Sequence, residues 1–286
     1  MTTALRDFIK NPTTAELELV ARYGMQPEDA RRERAFLAFS ETGLPHRRME
    51  AWKWSDFKAA LKALETPASA SAKDPLPHDG VLVFRFTPTG FESPTALPDG
   101  LRMVAQPTTQ AMGGAEDVPL GALAAALAGG GSRPATLTFE ITSSDLPRLH
   151  FVFDGAGEAS FARIIFVIRA GASLTLTESY LGGAGFTAAL LEFNLEKGAR
   201  LNRTIYQRGA ADEALAVTGL VNLDADSEAT QTTLAFGAKV ARMETRAVHQ
   251  GPGAKLTLNA AYLSGNGFHA DITTHVRHGA PGCVTR

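Results

Sequence analysis

The chain has 286 residues, of which 44% are hydrophobic and 20% charged, with a formal charge of −2. That length can bury a sizeable core in one or two domains, and the composition is ordinary for a soluble globular protein. It lacks the cationic excess that a non-specific nucleic-acid binder needs. Cys283 is the sole cysteine, which excludes an internal disulfide and suits a reducing compartment. The N-terminus has no apolar signal region, and no run of about 18 apolar residues is long enough to span a membrane. A cytoplasmic location is expected, with neither membrane nor nucleic acid as a partner.

Residues 1–65 read as a helical N-terminal region. Pro27 suits a first helical position and Gly43 a C-terminal cap. Between them, Ala30, Arg34, Leu37 and Glu41 share one helix face, and Ala35, Phe36 and Phe39 lie near another. Ser55 is a plausible N-cap for a helix whose stripe is Phe57, Ala60, Leu61 and Leu64. Residues 66–134 read as a linker and irregular segment leading into the core. The run "ETPASASAKDPLPHDG" has linker composition. It is followed by a β-like "VLVFRF" and a short helical stretch, "PLGALAAALAG".

From residue 135 the pattern is strand-like. Leu174 and Leu176 alternate with Ser173, Thr175 and Thr177. Leu191, Phe193 and Leu195 share a face. Ile272 and Val276 oppose Asp271, Thr273, His275 and Arg277. Similar units begin at Gly171, Gly198, Asp226 and Gly253, in steps of 27, 28 and 27 residues. A period of that size signals stacked coils, each too short for a four-stranded propeller blade. A parallel β-helix over 135–286 is therefore expected. A β-sandwich or jelly roll is the competitor.

Two segments carry a family resemblance. "GLPHRRMEAWKWSDFKAAL" resembles the N-terminal signature of the SufB/SufD proteins of iron–sulfur cluster assembly, with Gly43, Pro45, Glu50, Trp52, Lys53 and Trp54 at the matching positions. Trp54 stands where that family more often has Tyr. "HADITTHVRHGAPGCVTR" resembles a SufD segment through His278, Pro281, Cys283, Thr285 and Arg286, with Thr285 in place of a commoner Ser. The compact leader is closer to SufD than to SufB. The resemblance implies a mostly β chain with a right-handed parallel β-helix and a helical N-terminal region. It also implies a non-catalytic scaffold that pairs with a SufB-like paralogue through the β-helix. A SufC-like ATPase would dock on a C-terminal helical region. The sequence ends at Arg286 before that region and before the family's Cys-Ser-His-Gly stretch, so a C-terminally truncated member is expected. No stably bound cofactor is expected in the isolated chain, and a transient iron–sulfur cluster only in the complex. A homodimer is the alternative pairing.

The candidate sites have competing readings. Trp52 and Trp54, beside Arg47, Arg48 and Lys53, suit base stacking or a partner surface, but packing of the helical region is favoured. His269, His275, His278 and Cys283 all have metal-binding side chains within a short span, in no known ligand spacing. Among them Cys283 and His278 are the weak candidates for transient iron or sulfur handling. The glycine runs at 129–131 and 182–185 lack a following Lys-Ser/Thr, so no phosphate-binding loop is present, and "GNG" at 265–267 reads as a turn. No Gly-x-Ser-x-Gly elbow occurs. Asp224, Asp226, Glu228 and Asp271 support the alternative of a polysaccharide-active β-helix enzyme, and a purely structural interaction protein is the other alternative.

Overall fold

The computed structural model describes residues 9–64, 73–87, 90–104, 117–130, 133–155, 159–183 and 185–286. Residues 65–72 of the expected linker stretch, Gly131 and Ala184 lie outside them. The chain winds between two sheets. The first runs β2 (Phe91–Glu92), β1 (Leu82–Phe86), β5 (Leu149–Phe153), β7 (Ser173–Tyr180), β9 (Arg200–Gln207), β11 (Glu228–Phe236), β13 (Lys255–Leu263) and β15 (Val284–Thr285). The second runs β3 (Leu101–Val104), β4 (Leu137–Ile141), β6 (Ser160–Ile168), β8 (Phe186–Leu195), β10 (Ala214–Leu223), β12 (Val240–His249) and β14 (Ala270–His278). Every pairing is parallel except β1 with β2 and β3 with β4. This is a parallel β-solenoid of about five coils, and the sandwich reading falls because its sheets would be antiparallel. The stack already begins at β1, which pairs with β5 from Leu82↔Leu149 to Phe86↔Phe153.

The period has a backbone cause. Gly171, Gly198, Asp226 and Gly253 all hold a left-handed φ, of 73°, 69°, 56° and 72°. Glycine adopts that region freely, and Asp is among the few other residues that tolerate it. Each of these turns donates its N–H to the turn of the next coil: Gly171 to Lys197 O, Gly198 to Ala225 O, Asp226 to Pro252 O and Gly253 to Pro281 O, at 2.9–3.1 Å. Inside, identical register positions stack their side chains. Phe139, Phe166 and Phe193 form one ladder with centroids 5.4 and 5.0 Å apart, and Phe86, Phe153 and Tyr180 another at 4.9 and 4.5 Å. Offset ring stacking adds to the area each ring buries.

The helices cover the outer face of the second sheet. They are α1 (Thr14–Gly24), α2 (Ala30–Thr42), a 3-10 turn at Glu50–Trp52, α3 (Phe57–Ala60) and α4 (Pro119–Leu127). α4 is apolar all round because α2 packs on one side and β6, β8 and β10 on the other. Buried Arg32 of α2 donates to the carbonyls of Ala126 and Ala128 at 2.9 and 2.6 Å, satisfying the last turn of α4. Phe36 and Phe39 are buried as the α2 pattern predicts, and Ala30, Arg34, Leu37 and Glu41 are exposed.

Two cap expectations require correction. Asp29 caps α2, accepting from Arg31 N and Arg32 N, so Pro27 lies before the helix. Asp56, not Ser55, caps α3 through Ala59 N, and Ser55 is engaged elsewhere. Gly43 does terminate α2, with φ 65°. The helix after Ser55 stops at Ala60, although Phe57, Leu61 and Leu64 are all buried.

Candidate functional site

The helical leader lies over the second sheet, with Arg22 donating to Ala159 O just before β6, and its Trp motif reaches the last two strands of that sheet. Gly43 is the pivot: a Cβ there would lie 2.5 Å from Glu16 Oε1. Glu16 is fully buried. It accepts from Thr13 N at 2.7 Å and Leu44 N at 2.8 Å, and pairs with Lys58 at 3.0 Å. Burial alone would raise its pKa, but these hydrogen bonds and the lysine outweigh it and hold the carboxyl below its usual value. Pro45 O accepts from Lys58 N at 3.0 Å, closing the same turn.

From this turn the 3-10 segment delivers Trp52 into the core, edge-on to Phe57 at 5.9 Å. The Arg242 guanidinium lies 3.9 Å from the Trp52 ring centroid, over its face. Arg242 reaches Glu244 Oε2 at 3.0 Å and Asp271 Oδ2 at 2.6 Å. Ser55 and Thr273 both donate to Asp271. Burial pushes the Asp271 pKa up, but these two hydroxyls and Arg242 more than reverse it. His269 Nε2 is 3.3 Å from Ser55 Oγ. The site is thus an ionic seat on β12 and β14 roofed by the leader. Glu50, Lys53 and Trp54 stay outside it: Trp54 is 75% exposed, with Lys53 Nζ 5.1 Å from its ring.

The His/Cys group is not brought together. His275 faces Glu244 at 3.8 Å, and His269 belongs to the Ser55 contact. His278 shares Thr285 Oγ1 with His249, each at 3.0 Å, with the two rings 4.5 Å apart. This gives the Thr285 hydroxyl a role. Burial, then the neighbouring His278, lowers the His249 pKa. Cys283 is half-buried, its Sγ 3.4 Å from Gly251 O, and Arg286 N donates to Leu256 O at 2.9 Å. Nor do the carboxylates gather. Asp224 accepts from Ala225 N in a turn, Asp226 is the left-handed turn residue, Glu228 stands 4.0 Å from Arg200, and Asp271 is tied under the leader. "GNG" is a turn, closed by Phe268 N to Gly265 O at 3.2 Å.

Three arrangements escape the sequence reading. Thr13-x-x-Glu16 is a capping box legible in the sequence, but its long-range partners are not. Inside the solenoid, Arg203 is paired to Glu178, which also accepts from Tyr180 OH at 2.9 Å. Arg203 Nη1 continues to Gln231 at 2.9 Å, and Gln231 to Thr245 at 2.9 Å. Strand alternation places each of these side chains inward, and that was the available signal. Burial, then Glu178, raises the Tyr180 pKa well above its usual value. Finally, among the described residues only Asp74, His78 and His150 bring three potential metal-ligating atoms within 4.8 Å of one another.

No curated protein matches the chain. Residues 151–286, a little under half of the chain, match the family described as SUF system FeS cluster assembly, SufBD core domain. The matched span begins in β5 and runs through β15, the stretch that forms the regular coils, and it supports the SufB/SufD family and a role in iron–sulfur cluster assembly by the SUF system.

Proposed function

We propose that the protein is a SufD-like, non-catalytic scaffold subunit of the SUF machinery, acting in the cytoplasm with a SufB-like paralogue and a SufC-like ATPase. The observation that carries this reading is the coincidence of the SufBD core match with the coils of the solenoid. Pairing through the β-helix is supported by where apolar surface is left open. Of the eight large hydrophobic side chains exposed among the described residues, four (Tyr262, Leu263, Phe268 and Val284) lie on the last coil. Tyr262, Leu263 and Phe268 fall within seven residues of one another, and apolar exposure gathered in this way marks an interaction surface. No helix among the described residues is long and apolar enough to cross a membrane. A cluster would be held only in the complex, and ATP turnover would come from the partner.

The test is co-expression of the full chain with SufB-like and SufC-like proteins, followed by size-exclusion chromatography with light scattering. A complex containing the SufB-like protein is expected, and Tyr262→Asp with Leu263→Asp should abolish it while leaving the melting temperature of the chain unchanged. A chain that pairs only with itself, or that cleaves pectin-like polymers, would overturn the reading.

A further inference from the structure

We infer that Asp74, His78 and His150 form a binding site for one divalent transition-metal ion of the Zn2+ or Fe2+ class. The site lies outside the SufBD core match and does not depend on the scaffold role.

Residues 73–80 cross the outer face of the first sheet, held there by Arg148 Nη2 donating to Pro77 O at 3.2 Å. They bury His150, whose side chain leaves β5 on the outward side. Asp74 Oδ2 then sits 3.1 Å from His78 Nε2 and 3.3 Å from His150 Nε2. Two nitrogens and one oxygen bound to a single ion at about 2.0–2.2 Å would stand roughly 2.8–3.6 Å apart at octahedral to tetrahedral angles. The donor set, two imidazoles and one carboxylate, is that of zinc and non-haem iron sites that keep open positions.

The base of the site is rigid and its mouth is open. β5 is hydrogen-bonded on both sides, to β1 and β7. Ser179 of β7 donates to the second oxygen of Asp74 at 3.2 Å and lies 2.8 Å from His150 Nε2, an outer partner that fixes the carboxylate. His78 is 38% exposed at the edge of a cleft of about 510 Å3, also lined by Lys73, Arg85 and Asp154, which gives an ion an entry path. The three ligands come from two segments that are far apart in sequence, so an ion there would pin residues 73–80 to the solenoid.

The experiment uses the purified, tag-free full chain stripped with chelator and titrated with Zn2+ by calorimetry and with Co2+ by visible absorption. One equivalent of each is expected to bind, with no cobalt–thiolate charge-transfer band. His78→Ala, at an exposed position, should weaken Zn2+ binding at least about a hundredfold, and Ser179→Ala by about 10–100-fold. Asp74→Asn should abolish the Co2+ spectrum while the far-ultraviolet circular dichroism stays that of the wild type. Cys283→Ser should leave both titrations unchanged. Absence of stoichiometric uptake by the wild type, equal affinity in His78→Ala, or loss of binding in Cys283→Ser would each overturn the assignment. The first of these is what a purely hydrogen-bonded Asp–His cluster gives.

Discussion

Trp52→Ala tests whether the tryptophan motif is a fastening. The ring is 4% exposed, packs edge-on to Phe57 and carries the Arg242 guanidinium on its face. Truncating a buried Trp to Ala costs about 3–5 kcal/mol, and a desolvated cation–π contact contributes roughly 2 kcal/mol of such a total. Folded proteins have only about 5–15 kcal/mol to lose. At roughly 2–4 °C per kcal/mol the melting temperature should fall by about 6–20 °C. Trp54→Ala is the internal control: its ring is 75% exposed, so the change should stay within about 0.5 kcal/mol. Differential scanning fluorimetry reads both. Intrinsic fluorescence adds a second measure, because each variant leaves one tryptophan. Trp52 alone should emit at short wavelength as a buried indole, and Trp54 alone should emit like indole in water. If Trp52→Ala melts with the wild type, or if Trp54→Ala is the more destabilised of the two, the seat on β12 and β14 does not hold the leader.

Other perturbations address the interior. Burial pushes the Glu213 pKa up to about 7, with the Ala210 N–H acting against it. Its folded pKa lies above the unfolded value of 4.5, so the stability it contributes is full below pH 4.5 and is lost as pH rises through about 7. Glu213→Gln should flatten that part of a denaturation-versus-pH curve, and an unchanged slope would refute the assignment. Arg203→Met strands fully buried Glu178 and should cost about 3–5 kcal/mol in urea denaturation; Arg203→Met with Glu178→Met together should recover much of it. A Cβ at Gly251 would fall 2.0 Å from the Ala225 backbone nitrogen, so Gly251→Ala should cost about 3 kcal/mol, whereas Gly265→Ala, whose nearest contact is Phe268 at 3.7 Å, should be close to neutral.

The solenoid was legible because its cause is local and repeated. A left-handed turn residue every 27 or 28 positions, followed by alternating apolar residues, appears directly in the chain. The burial of Trp52 was legible for a related reason: an aromatic between a glycine-bearing turn and an apolar stripe has few other places to go. What the sequence hid are meetings without a period. Ser55 looked like a helix cap since its hydroxyl precedes the helix, but Asp56 took that place and Ser55 found Asp271, 216 residues away. Asp74 and His78 stood in a Pro-rich stretch with linker composition, and nothing near them pointed to His150. The His/Cys group is the opposite case, close in sequence but not in space, since closeness along a strand and its following turn sends successive side chains to different neighbours.

The Ser55–Asp271 contact also sets an order of events during synthesis. Each coil of the solenoid can pair with the coil before it as soon as both are made. The leader cannot finish docking in that way. Phe57 meets Phe186, centroids 6.2 Å apart, once β8 exists, but Arg242 and then Asp271 complete the seat only much later. At about 5–20 residues per second, the 216 residues between Ser55 and Asp271 take roughly 10–45 s to emerge. For that interval the earliest part of the chain waits for its last partner, and until Arg242 is made the face of the Trp52 ring is open to chaperones and to neighbouring nascent chains.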